Sequence, residues 1–213
     1  MKIVINILAI SLLLISGCRS KQESSFRVGY DFGAVNKVAI VSVEGVVPSE
    51  VAKDEIAEFF AIELLEQGYA PMGRAQVRAS LAEQETEDEI TDLTTPEGAV
   101  AAGLVLDVPA VLTVRIPHFG KEISITATMI DVDDGSILWL ANGTGKGGGG
   151  FSSIFGSKSG GSEEEGLLGP VMGDVMGESN EPLTPEDAER AQSIVKKMCR
   201  SLPIKQAMAA PKW

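Results

Sequence analysis

An α/β sandwich, with a mixed sheet flanked by helices, is the fold this sequence predicts, on three observations. Lys37-Val38-Ala39-Ile40-Val41-Ser42-Val43 is an almost unbroken apolar run of strand length, the pattern of a strand covered on both faces. A helix-periodic stretch and a short second strand follow directly, which makes a parallel βαβ unit with a right-handed crossover. Residues 110–116, 123–132 and 136–141 then read as strands joined by two turn signals, as antiparallel hairpins do. The sheet is expected to begin parallel and end antiparallel.

Each element carries its own start and stop. Ser49 is placed to cap a helix with the apolar face Ala52, Ile56, Phe59, Phe60 and Leu64, while Lys53, Asp54, Glu55, Glu58, Glu63 and Glu66 mostly face outward. Gly68 supplies the left-handed residue that ends it, and residues 69–72 form the second strand. Residues 74–83 make a second helix with Val77 and Leu81 inward, followed by an acidic stretch, 83–92, expected as an exposed loop. Thr95-Pro96-Glu97 puts an N-cap before a proline at the first helical position and opens a third helix to Leu104. His118 and Gly120 fall in the turn between the next two strands, and Asp133-Asp134-Gly135 is expected as a type I′ turn. Thr184 caps the last helix, which Pro203 ends. Cys199 lies on its apolar stripe with Ala188, Ala191, Val195, Met198 and Leu202, as a buried structural thiol would. Trp139 reads as a core or sheet-edge anchor rather than a ligand platform.

The N-terminus carries the main functional signal. Lys2 precedes an apolar run that closes on Leu14-Ile15-Ser16-Gly17-Cys18, the form of a bacterial lipobox. The run is shorter than the ~20 apolar residues needed to span a bilayer. Residues 1–17 are therefore expected as a lipoprotein signal peptide and Cys18 as the lipidation site. Residues 18–36 would be the lipidated tether, 37–205 the folded domain and 206–213 a C-terminal tail. Arg19 after Cys18 fits sorting to the outer membrane, facing the periplasm. Residues 143–180, rich in glycine and serine, read as a long mobile loop whose apolar islands Phe151, Ile154 and Phe155 are the candidate partner-binding residues.

Composition narrows the rest. The chain of 213 residues has a formal net charge of −12, with acid concentrated at 83–92 and in Glu163-Glu164-Glu165, which argues against a nucleic-acid partner. It leaves the lipid on Cys18 as the membrane contact. Gly143-Thr144-Gly145-Lys146-Gly147 lacks the spacing and hydroxyl of a phosphate loop, and the Asp131, Asp133, Asp134 run is out of register for a calcium loop. His118 is the only histidine, so neither a catalytic site nor a metal site is expected, and no cofactor. Ser193-Ile194-Val195-Lys196 matches a Ser-x-x-Lys motif without its companion motifs.

Several short motifs stand in a telling order. A lipobox precedes the strand Lys37-Val38-Ala39-Ile40-Val41 and a helix closing on Leu64-Leu65-Glu66-Gln67-Gly68-Tyr69. Gly73-Arg74-Ala75-Gln76 opens the second helix, and Ala101-Ala102-Gly103-Leu104 leads into Val108-Pro109-Ala110-Val111-Leu112. Ile130-Asp131-Val132-Asp133-Asp134-Gly135-Ser136-Ile137-Leu138-Trp139 sets an acidic turn before a strand bearing tryptophan. In these pieces, over 37–141 and the final helix, the chain resembles the curli production assembly/transport lipoproteins (the CsgG family) and the related LpoB-type activators of penicillin-binding proteins. The resemblance implies an α/β sandwich used for protein contacts, without catalysis or cofactor. Two departures stand out. A pore-forming member needs barrel strands of about 9–11 alternating residues, whereas 83–92 and 143–180 offer acids, glycines and serines. Residues 19–36 are short for an arm that crosses the peptidoglycan.

The expected function is a non-catalytic envelope lipoprotein, a protein-binding adaptor or an assembly or secretion factor that contacts another envelope protein. A ring-forming curli-type secretion channel subunit, which would be a homo-oligomer, and an activator of a peptidoglycan synthase are the alternatives. An enzyme would instead need convergent polar groups near His118.

Overall fold

The computed structural model describes residues 22–84, 92–146 and 180–205. In chain order the elements are β1 (Gln22–Phe26), β2 (Lys37–Gly45), α1 (Glu50–Glu66), β3 (Ala70–Met72), α2 (Arg74–Glu83), α3 (Pro96–Val105), β4 (Ala110–His118), β5 (Glu122–Asp131), β6 (Ile137–Lys146) and α4 (Pro185–Cys199). The strands form one mixed sheet in the order β1-β6-β5-β4-β2-β3. β2 lies parallel to β3 and β4, and the other pairs are antiparallel, so the α/β fold with a parallel start and antiparallel hairpins is as the sequence predicts.

The helices begin where local chemistry requires. Ser49 accepts from the Ala52 amide, Thr95 from Gly98 and Thr184 from Asp187, each satisfying a first-turn donor that the helix itself leaves unpaired. Gly68, at φ 89°, turns the chain out of α1 into β3. α1 and α4 pack on one face of the sheet over Val38, Ile40, Leu112, Ile125, Met129 and Trp139. α2 and α3 pack on the opposite face over Ala39, Val41, Val111, Ile130 and Val132. Trp139 is fully buried, and its indole nitrogen donates to Ser201 Oγ at 2.9 Å. Cys199 is buried in the same core, and burial pushes its thiol well above the usual range.

A bulge between Ile40 and Ser42 explains how β2 can be apolar almost throughout. It turns Val41 and Ser42 to the same face, so Ile40 and Val43 both stay in the α1/α4 core. At the β3 edge, Arg74 reaches from α2 to α1, with Nη1 2.8 Å from Asp54 and Nη2 2.7 Å from Glu50. Pro71 lies in β3 itself.

Three expectations change. The tether was expected to run through residue 36, but residues 22–26 form β1 against β6, and Phe32 and Val35 are buried. The backbone of β6 supplies the partner, and the Phe26, Tyr30 and Phe32 rings meet edge to face. The glycine-rich loop was expected from residue 143, yet β6 continues to Lys146. Gly143 and Gly145 are in strand because α4 lies so close: a Cβ on Gly143 would stand 2.5 Å from Ile194 Cγ2. The Asp133-Asp134-Gly135 turn is not type I′. Only Gly135 has positive φ there, whereas type I′ requires two such residues, and the loop closes through Asp131 N to Ser136 O at 2.9 Å.

Candidate functional site

The two helices on the second sheet face cover only part of it. Because α2 and α3 sit over the end bearing Val111, Ile130 and Val132, the rest of that face carries no helix among the described residues. Strand alternation fixes what is left there. Val43, Val114, Ala127 and Met129 point into the α1/α4 core, so their strand neighbours point the other way.

Two cross-strand rows result. Ser42, Thr113, Thr128, Leu140 and Ser25 lie side by side in one, and Glu44, Arg115, Thr126, Asn142 and Glu23 in the next. From these rows Ser42, Glu44, Thr113, Arg115, Thr126 and Thr128 floor a cleft of about 500 Å³, walled by Thr94 and Pro96 at the start of α3 and by Gly135 and Ile137 at the last hairpin. Ile137 is 54% exposed at its rim.

The electrostatics of the cleft centre on Arg115. Its side chain is exposed and has no ion-pair partner among the described residues, and its neighbour Glu44 is drawn instead to Lys53, 3.5 Å away. Thr126 donates to Asn142 Oδ1 at 2.7 Å, while Thr113 and Thr128 make no side-chain hydrogen bond to the described residues. Next to Thr94, outside the cleft lining, Asp92 is held below the usual carboxylate range by the hydroxyl and amide of Thr94. Asp134 is lowered to about 2 by the Ser136 hydroxyl and amide and then by Arg27. The cleft is thus a floor of hydroxyls and the Glu44 carboxylate around a guanidinium that has no ion-pair partner among the described residues. Such a surface binds a carboxylate and hydrogen-bonding groups. Among the described residues that line it, no nucleophile is paired with a base.

The expected site residues fall elsewhere. Cys18, Phe151, Ile154 and Phe155 lie outside the described residues. His118 is exposed at the end of β4, lining a separate hollow with Val46, Pro117, Phe119 and Glu122. Sequence reasoning missed Thr113, Arg115, Thr126 and Thr128 because polar alternation normally marks a plain solvent face. The signal that could have found them is the repeated hydroxyl at those positions, since Thr-Val-Arg and Thr-Ala-Thr fall on adjacent strands.

No known protein-family model matches the chain, and no curated protein matches it by sequence. Solved structures give weak matches. The PelC dodecamer from Paraburkholderia phytofirmans is 16% identical, with 88% of this chain and 99% of that chain covered at a TM-score of 0.48. Lipoprotein GNA1162 from Neisseria meningitidis is 18% identical, with 57% and 88% covered and a TM-score of 0.43. The LpoB C-terminal domain from Salmonella enterica is 14% identical, with 66% and 93% covered and a TM-score of 0.44.

Proposed function

We propose that this protein is a non-catalytic lipoprotein of the bacterial cell envelope. Lipid on Cys18 holds it at the outer membrane, facing the periplasm, and the open part of its sheet binds another envelope protein. The observation that supports this reading best is the hydroxyl-floored cleft around Arg115, a cation without an ion-pair partner among the described residues of a strongly acidic chain. A partner that brings a carboxylate to Arg115 and hydrogen-bonding groups to Thr113 and Thr128 would satisfy all three at once. The lipobox supports the anchoring half, because Cys18 occupies the position where the acylated thiol must stand. A secretion assembly and a peptidoglycan synthase are the two finer forms of the partner.

Photo-crosslinking in intact cells tests the reading. A photoreactive side chain at Thr128 is expected to give one discrete adduct with an envelope protein, and the same group at Glu58, on the outer side of α1, none. Arg115→Glu should reduce the adduct about tenfold or more, because a hydrogen bond to a charged group contributes about 1.5–3 kcal/mol. Equal adducts from both positions would overturn the docking face. A Thr128 adduct of two copies of this chain, with a discrete large mass in detergent, would move the reading to the ring-forming alternative.

A further inference from the structure

We propose that the end of the domain formed by the β4–β5 turn seats on the membrane surface, so that the lipid anchor fixes the orientation of the domain as well as its location. This rests on lipidation of Cys18. Gln22, the first residue of β1, lies only four residues beyond Cys18. Even fully extended, that stretch spans at most about 14 Å. β1 runs antiparallel to β6, with Gln22 opposite Gly143, so the chain reaches Gln22 from the end of the sheet where Lys146 pairs with Glu122. That end projects three residues past the Gln22 row, about 10 Å at strand rise. An acylated sulfur cannot then stand more than a few ångströms beyond the turn, and the turn meets the headgroups.

The chemistry of this end suits a headgroup layer. Val46 is 64% exposed, Pro117 is exposed and Phe119 is half-buried against the core. With His118 and Glu122 they line a shallow hollow of about 400 Å³. Val46 is held there because its amide donates to the Ile116 carbonyl at 2.9 Å, and the close approach of Gly45 to the same backbone leaves no room for a Cβ. Lys121 and Lys146 flank the hollow, exposed and without ion-pair partners among the described residues. Of the acids at this end, Glu44 and Glu50 are engaged by Lys53, Glu122 sits beside the two lysines, and Glu23 and Glu181 lie next to Gln22 and Ser49. The far end of the sheet carries Asp107, Asp133 and Asp134, the last paired with Arg27, together with Lys37. The exposed lysines and small apolar side chains of the anchored end suit a headgroup layer.

The test uses full-length protein extracted from membranes, its mass first showing whether Cys18 carries lipid. Cys199 is buried, so a thiol-reactive fluorophore reports only a cysteine introduced at Lys121→Cys or, at the far end, Asp133→Cys. The protein is reconstituted in phosphatidylethanolamine vesicles with a minority of phosphatidylglycerol and quenchers attached to the lipid headgroups. The label at 121 is expected to be quenched at least about threefold more than the label at 133. Val46→Glu with Lys146→Glu should erase that difference while the lipid-bearing mass and vesicle retention stay as they were. Lipidated protein with equal quenching at both positions overturns the seat alone. A native mass with an unmodified Cys18 overturns the anchoring and the seat together. No quenching at 121 with a doubled mass in detergent places a second copy of the chain on this end and overturns the seat.

Discussion

At the residue scale, Gly143 and Gly145 of β6 decide how closely α4 can approach the sheet. Trp139 and Cys199 were legible because both sit on apolar stripes, and both are buried. Gly143 and Gly145 were read as loop because glycine is common there. Their role is to let Ile194 and Met198 of α4 lie flush on β6. A Cβ at 143 would meet Ile194 Cγ2 at 2.5 Å and Met198 Sδ at 2.7 Å, both on flexible side chains that can shift. Gly143→Ala is therefore expected to overpack the α4 interface and lower stability by about 1–3 kcal/mol. Urea denaturation would show it, with the slope unchanged. Arg115 was missed for a related reason. An exposed cation on an alternating strand looks ordinary until the fold shows that no described residue pairs with it.

At the element scale, capped helices were the most legible parts, since Ser49, Thr95 and Thr184 announce their own positions. β1 was not legible. Gln22-Glu23-Ser24-Ser25-Phe26 has no apolar alternation, and it becomes a strand because β6 offers it hydrogen-bond partners. The link between α1 and α2 has a measurable consequence. Hydrogen bonds from Lys53 and then Arg74 hold Glu50 below the usual carboxylate range. Burial raises Asp54, but hydrogen bonds from Arg78 and Arg74 outweigh it and leave it lowered as well. Carboxylates depressed in the folded state stabilise it fully above their unfolded values, about 3.9–4.3, and that contribution is lost as pH falls through the folded values. Arg74→Met is expected to cost about 1 kcal/mol at neutral pH, a modest figure because its partners are partly solvated. The gap to wild type should close below about pH 4, where the carboxylates become protonated. Chemical denaturation at pH 7 and pH 3 would check both halves. A deficit that is equal at the two values would assign the loss to packing of the arginine stem.

For the whole molecule, the mixed sheet was legible from the spacing of its strands, but the unequal coverage of its second face was not. That coverage depends on α2 and α3 being short and lying over one end of the sheet, and hydrophobic patterning does not encode where a helix comes to rest. The distance from Cys18 to β1 is likewise visible only once β1 is known to be a strand. A flexible Gly-Ser spacer of roughly ten residues placed ahead of Gln22 would span about 16–19 Å on average. It is expected to leave the thermal midpoint unchanged and the protein membrane-bound, while the lipid-quenching difference between positions 121 and 133 falls toward nothing. Calorimetry and the vesicle measurement together would show it.

The two borders of the sheet are not equivalent. β3 is three residues long and contains Pro71, which has no amide hydrogen to offer a neighbour, and the arginine link between α1 and α2 lies alongside it. β1, at the opposite border, has no such block in its backbone. Edge-to-edge growth needs two receptive borders per molecule, and this fold supplies one. Edge-to-edge joining through the described strands would therefore stop at a pair of molecules.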